Sequence, residues 1–317
     1  MKKKKINWFR STLTILLFFA VIPLSAQTLN VKGTVTDETG YEVIGFDKNY
    51  IDINTDLITG DIVSFNFDSI TEDVDIVFHL AGLLGTTELF HRPIEAEMVN
   101  VVGTLNLLES MRKKDVDKIV FTSKPNIWKQ NIYTISKENC ERYLDMYKEI
   151  YGFKSVITRP FNVYGPDEPL QEYRKAIPYF IVSALKNEPL EIFGDGTQTM
   201  DSIYVEDVAK ALVKCAEVLP DDVVEIGTSK PLTVNFLAEK IIELCESKSK
   251  IIHKPMRKGE TDPNINSNGN MEDILDFKAE TDIETGFKLT IEWYKKHLSD
   301  FNEIYEFKNE DFLEIEN

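Results

Sequence analysis

Tyr133 and Lys137 are spaced to meet on one face of a helix, because side chains at i and i+4 are neighbours there. A lysine ammonium beside a tyrosine hydroxyl favours the phenolate. Bringing a phenol from a pKa of roughly 10 to roughly 7 takes ~4 kcal/mol of differential stabilisation. A tyrosine tuned in this way is a general base. The same spacing also suits a surface helix with a packed tyrosine and a solvated lysine, so the surroundings must decide between the two.

The elements that would position this pair follow from periodicity. An amphipathic helix is expected over 131–151 and another over 93–111, with apolar strands at 41–46, 74–80, 118–121 and 154–158. Strands and helices in alternation predict parallel crossovers and an α/β fold. Beyond Pro166 the alternation loosens. Helices are expected at 172–185, 205–218 and 233–246, with short strands at 190–193 and 223–226.

Several short stretches stand in a fixed order around the pair. They are Phe78-His79-Leu80-Ala81-Gly82, Asn100-Val101-Val102-Gly103-Thr104, Val120-Phe121-Thr122-Ser123, Arg159-Pro160-Phe161-Asn162-Val163-Tyr164-Gly165-Pro166, Phe193-Gly194-Asp195-Gly196, Ile203-Tyr204-Val205-Glu206-Asp207-Val208 and Arg257-Lys258-Gly259-Glu260. From Tyr41 to about His297 the chain thereby resembles the extended short-chain dehydrogenase/reductase family. Within it, the match is to the NAD-dependent nucleotide-sugar epimerases and dehydratases of the UDP-glucose 4-epimerase kind.

The resemblance implies a Rossmann-like, doubly wound parallel sheet with a smaller C-terminal α/β lobe that closes over the sugar nucleotide. It implies NAD as cofactor and a nucleotide sugar, UDP-linked, as substrate. Tyr133 and Lys137 become the catalytic pair. Asp47, at a strand end, would hold the adenosine ribose. Asp61 and Ile62 fall on the adenine side, and Leu80, Ala81 and Gly82 along the diphosphate and ribose. Asn100 and Pro160 complete the cofactor contacts, while Asn162, Arg257 and Glu260 match contacts to the nucleotide sugar. Family members usually pair as homodimers through the two helices that carry Asn100 and Tyr133.

This chain departs from the family at three places. Directly before Tyr41 it lacks the strand, Gly-x-x-Gly-x-x-Gly turn and helix that cradle a pyrophosphate, and Gly33, Gly40 and Gly45 do not have that spacing. Losing two to three charge-assisted hydrogen bonds of roughly 1.5–3 kcal/mol each weakens NAD binding by a factor on the order of 10² to 10⁶. Residues 29–36 are the candidates for the vacant strand position, but the short turn 37–40 would make them an antiparallel hairpin with 41–46.

At the chemistry itself, Lys124 stands where a serine or threonine usually bonds the reacting sugar hydroxyl, with Ser123 one position early. A charged lysine is longer than serine and cannot accept that proton, so it should obstruct more than help. The alternative is that Lys124 points to solvent and Ser123 or a water does the work. Pro125-Asn126 replaces the acidic pair of dehydratases and the glutamate of decarboxylases, which favours epimerisation or 4-keto reduction. The third departure is Met200, where many members carry a phosphate-binding arginine.

Lys2 to Lys5, Arg10 and the apolar run 13–24 followed by Ser25-Ala26 have the pattern of a secretory signal. Residues 31–40 resemble the start of TonB-dependent outer-membrane transporters, or are an ordinary strand and turn. The expected organisation is a signal-like segment at 1–26, a foreign strand and turn at 27–40, a truncated cofactor domain at 41–166, a substrate lobe at 167–298 interleaved with that domain, and an acidic tail at 299–317. The family implies the cytoplasm, and a working signal would imply export. A recombined non-enzyme and an exported carbohydrate-binding protein are the rival readings. A net charge of −17 argues against nucleic acid. Three scattered cysteines and four isolated histidines suggest neither disulfides nor a metal site.

Overall fold

The computed structural model describes residues 13–18, 41–48, 56–72, 74–85, 88–125, 130–168, 170, 175–256, 264–265 and 267–301. In chain order its elements begin with β1 (Leu13–Phe18), β2 (Tyr41–Asp47), β3 (Asp56–Thr59) and β4 (Ile76–His79). Next come α1 (Pro93–Glu97), a π-helical turn (Met98–Val102), α2 (Gly103–Lys113), β5 (Lys118–Thr122), α3 (Ile132–Tyr151), β6 (Lys154–Pro160) and β7 (Asn162–Tyr164). The remainder is α4 (Ala176–Lys186), β8 (Leu190–Phe193), β9 (Thr199–Met200), β10 (Ser202–Tyr204), α5 (Val205–Val218), β11 (Val224–Ile226), β12 (Leu232–Thr233), α6 (Val234–Leu244), β13 (Ile251–Lys254), β14 (Asn264–Ile265), α7 (Asn270–Leu275) and α8 (Ile283–Lys296).

Among the described residues, seven strands form the main sheet in the order β11-β6-β5-β4-β1-β2-β3, and every pairing in it is parallel. The strand order reverses between β1 and β4, and in open α/β sheets the ligand crevice lies there, beyond the carboxyl ends of the strands. Residues 29–36, expected beside β2 in an antiparallel hairpin, lie outside the described residues. The two neighbours of β2 are β3 and β1, and β1 pairs with it in parallel from Leu13↔Tyr41 to Phe18↔Phe46 and pairs with β4 on its other side. The apolar run that looks like an export signal thus includes the central strand. A short apolar run satisfies either role, so periodicity alone does not separate them.

Alternation along the strands sorts the core into two layers. Val77, Ile119, Phe121 and Ile157 face a cluster with Leu107, Leu108 and Met111 of α2 and Cys140, Leu144 and Tyr147 of α3. Their neighbours Ile76, Phe78, Val120 and Val156 face the opposite layer, with Val208, Ala211, Leu212 and Cys215 of α5 and Met271 and Leu275 of α7. A third cluster, around Phe180, Ile181, Leu190, Leu237, Phe287 and Tyr294, fills the C-terminal part where α4, α6 and α8 meet β8.

The long helix α3 is bounded by clear signals. Asn131 caps its start, with Oδ1 accepting from the Thr134 amide at 2.9 Å. Gly152 ends it at φ 74, a conformation that side chains with a Cβ resist. Arg159 of β6 forks onto Glu141 of α3 at 2.6 and 3.1 Å, both side chains largely buried, which fixes the helix against the sheet. Breaking a buried pair of this kind costs about 3–5 kcal/mol.

Candidate active site

Capping by Asn131 sets the first turn of α3, and that turn presents Tyr133 and Lys137 toward the carboxyl ends of β4 and β5. Lys137 is 3% exposed. Its Nζ donates to the Thr122 carbonyl at 2.9 Å and lies 4.8 Å from the centre of the Phe121 ring. Burial lowers the ammonium's pKa from its ordinary value, and the nearby Cys140 and Glu141 oppose that shift. The solvated-lysine alternative is excluded by this burial. Tyr133 is half-buried one turn earlier.

Behind the pair sits Asn100, in the π-helical turn between α1 and α2. Its Oδ1 accepts from the Leu83 amide at 2.6 Å, and its Nδ2 donates to the Leu83 carbonyl at 3.1 Å and to Ser136 Oγ at 2.9 Å. Ser136 Oγ in turn donates to the Tyr133 carbonyl at 2.9 Å. One buried amide therefore ties the loop after β4 to the helix that carries the tyrosine. A π-turn widens the helix locally and is often found where a side chain must be placed for function.

His79 closes the floor. Thr104 Oγ1 gives its only hydrogen to the Asn100 carbonyl, at 2.5 Å, so His79 Nε2, at 2.8 Å from that oxygen, is the donor between them. Full burial, with the Lys137 charge adding to it, holds the imidazole pKa down to about 3. The histidine is neutral and structural.

The two candidates for the hydroxyl position separate cleanly. Ser123 is 4% exposed, its amide donates to the Thr158 carbonyl at 2.7 Å, and among the described residues no hydrogen-bond partner reaches its Oγ. Lys124 does not turn to solvent. It is half-buried, its Nζ donates to Thr134 Oγ1 at 3.0 Å, and the ammonium stands 6.0 Å from the centre of the Tyr133 ring. Thr134 was not singled out by its sequence context, although its place three residues after a capping asparagine is a readable signal.

The residues expected around the cofactor lie at the carboxyl ends of the parallel strands. Asp47 ends β2 and is fully buried. Asp61 pairs with Lys48 at 2.8 Å and accepts from the Val63 amide at 2.9 Å. Ile62 packs in the core, where a Cβ added at Gly103 would come within 2.7 Å of it. Leu80 and Ala81 follow β4, and Pro160 ends β6. A Cβ added at Gly82 would stand 3.0 Å from Lys137 Nζ and 3.2 Å from Asn100 Oδ1, so this loop is cut to let a ligand or a neighbouring backbone come close.

These residues fit the ribose and nicotinamide side of a dinucleotide. The diphosphate side does not fit as well, because the sequence has no glycine between Phe18, the end of β1, and Gly33. Asn162 donates its side-chain amide to the Asp201 carbonyl at 3.1 Å, and Met200 lies on β9 beside it. Arg257 and Glu260 lie outside the described residues, as do 19–40, so neither the transporter-like stretch nor those two contacts has a place in this geometry. No group of three or more potential metal ligands occurs among the described residues.

A parallel sheet in this strand order, with a tyrosine and lysine one turn apart at its crevice, defines a dinucleotide-fold enzyme class. Comparison narrows it. Residues 34–227 match the NAD dependent epimerase/dehydratase family, and the chain belongs to that family. A Methanocaldococcus jannaschii protein described as a candidate UDP-glucose 4-epimerase is 33% identical over 284 residues, covering 82% of this chain and 92% of its own. Human dTDP-D-glucose 4,6-dehydratase is 30% identical over 302 residues, 83% of this chain and 80% of its own. An epimerase structure from Methanothermobacter thermautotrophicus superposes with a TM-score of 0.81 at 23% identity, over 92% of this chain and 94% of that one, which shows the shared fold.

Proposed function

We propose that the chain is a nucleotide-sugar 4-epimerase that works through a transient 4-keto sugar, with 41–166, on a sheet completed by β1 and β11, serving the cofactor and the rest of 167–298 the UDP-linked sugar. The observation that carries this is the Tyr133/Lys137 pair, with Lys137 buried and anchored on Thr122. NAD, the cofactor of the family, supplies a hydride acceptor when bound; Asp47, Asp61, Gly82, Asn100 and Lys137 are the residues that would hold it. Tyr133 takes the proton of the sugar hydroxyl and later returns it. Lys137 stabilises the phenolate, and the Asn100–Ser136 contact keeps the tyrosine's turn of helix in place.

Epimerisation is favoured over dehydration because Pro125-Asn126 offers no acid to expel water. Incubation with UDP-glucose and NAD, followed by proton NMR, tests the reading. Inversion at C4 is expected, and failure of the chain to bind UDP at all would sink it.

A second reading is favoured by the glycine-free stretch after β1: a chain that keeps the sugar-nucleotide site and has lost turnover. On either reading the family points to the cytoplasm. Among the described residues no helix is long and apolar enough to cross a membrane. A homodimer is supported by exposed apolar residues on the two helices expected to pair, Ile94, Met98 and Val102 on one side and Ile135, Met146 and Ile150 on α3. Sedimentation should show a dimer that Ile150→Asp converts to monomer.

A further inference from the structure

The ammonium of Lys124 is held in place by more than its own flexibility would allow. Thr134 is fully buried, and its Oγ1 gives its one hydrogen to Asn131 Oδ1 at 2.9 Å. That oxygen can therefore only accept from Lys124, which donates at 3.0 Å. Asn131 is itself fixed as the cap of α3. The result is a cation pinned on the Tyr133 side of a helix N-terminus, 6.0 Å from the tyrosine ring, with Lys137 on the next turn. The Lys124 ammonium thus stands at the positive end of a 20-residue helix, while the Lys137 ammonium is taken up by the Thr122 carbonyl at 2.9 Å.

This local field stands against a chain of net charge −17. An acidic protein repels anions over most of its surface, so a pinned positive site within it discriminates in favour of a negative group. A neutral sugar hydroxyl offers a lysine an ordinary acceptor, whereas a carboxylate offers a charge-assisted bond of roughly twice the strength. In a hexuronic acid the carboxylate is attached to the carbon next to C4, the reacting position on the reading above. We infer that Lys124, positioned by Thr134, is a specificity residue that selects a nucleotide sugar carrying a carboxylate beside the reacting carbon, a uronic acid over a neutral hexose. The inference rests on the nucleotide-sugar reading and names its substrate class.

Calorimetry of the full chain in the presence of NAD, with UDP, UDP-glucose and UDP-glucuronate as probes, tests both levels. UDP-glucuronate should bind about tenfold or more tighter than UDP-glucose, the size of one charge-assisted contact. Lys124→Met and Lys124→Gln should bring the two sugars to equal affinity while UDP binds as before, and Lys124→Arg should keep most of the preference. Circular dichroism checks that each variant is folded, and the Gln variant serves if the Met variant is not. Equal affinity for the two sugars in the unmodified chain overturns the inference, as does a preference that survives the loss of charge. UDP binding without discrimination leaves the nucleotide-sugar reading standing and removes only this one. Failure of UDP itself to bind removes both.

Discussion

The two ends of the candidate cofactor crevice are built to different standards. At the end of β4 and β5, Leu83, Asn100 and Ser136 interlock through hydrogen bonds of 2.6–3.1 Å that use every polar group of the Asn100 side chain, and Lys137 is anchored on the Thr122 carbonyl at 2.9 Å. After β1 the sequence continues Phe19-Ala20-Val21. That stretch of sequence has none of the glycines that let a phosphate approach backbone amides. The contrast teaches that orientation of the reacting atoms and grip on the cofactor are separable demands on the sequence, the first served by β4, β5 and α3 and the second, in this fold, by a glycine turn after the first strand.

The strongest way to break that contrast is to repair the weak end. Replacing 13–40 with a complete strand, glycine turn and helix from a family member should tighten NAD binding by a factor on the order of 10² to 10⁶, read by calorimetry. A chain that already binds NAD at micromolar concentration would erase the contrast. The intact end is challenged next. In the repaired protein, Tyr133→Phe should lower kcat by roughly 10² to 10⁴, since the ring keeps its shape and loses its proton acceptor. Turnover equal to the parent's would remove Tyr133 from the chemistry.

A finer test concerns Lys124. With a neutral hexose as substrate, Lys124→Thr in the repaired protein should raise kcat by about 10², the scale of one catalytic hydrogen bond. An unchanged kcat, together with a large loss in Ser123→Ala, would move the hydroxyl role to Ser123. The smallest effect is on stability. His79 has a folded pKa of about 3 against 6.5 for an ordinary imidazole, so between those values the unfolded chain binds a proton that the folded one refuses. The stability that neutral His79 contributes is complete above about 6.5 and falls by at most ~1.4 kcal/mol per unit as pH drops through that window. Thermal melts at pH 7.5 and 5.5 should show the loss, and His79→Gln should shrink it.

Much of this was legible in the sequence because local pattern and tertiary role agree. The helix expected at 131–151 is observed at Ile132–Tyr151, and those expected at 205–218 and 233–246 appear as Val205–Val218 and Val234–Leu244. Asn100 was placed on a helix behind the site, but the π-turn around it was not foreseen, because one extra residue in a helix leaves little trace in periodicity. The direction of Lys124 was open, since it depends on a contact with Thr134 across a chain reversal that no spacing rule covers. The strand β13 and the helix α8 passed unnoticed among polar residues whose burial is set only by the lobe they complete.

The seat of β1 has a consequence for the chain's fate. β2 and β4 are joined through it and through no direct pairing of their own. Removal of residues 1–26 by a processing protease would leave two facing rows of amide and carbonyl groups without partners in the middle of the molecule. Such rows recruit strands from other chains, so the trimmed product should precipitate rather than persist as a weakened enzyme. Leu13–Phe18 can therefore act as a discarded address label or as the keystone of the sheet, and a molecule in which it has been discarded is not the one described by these contacts.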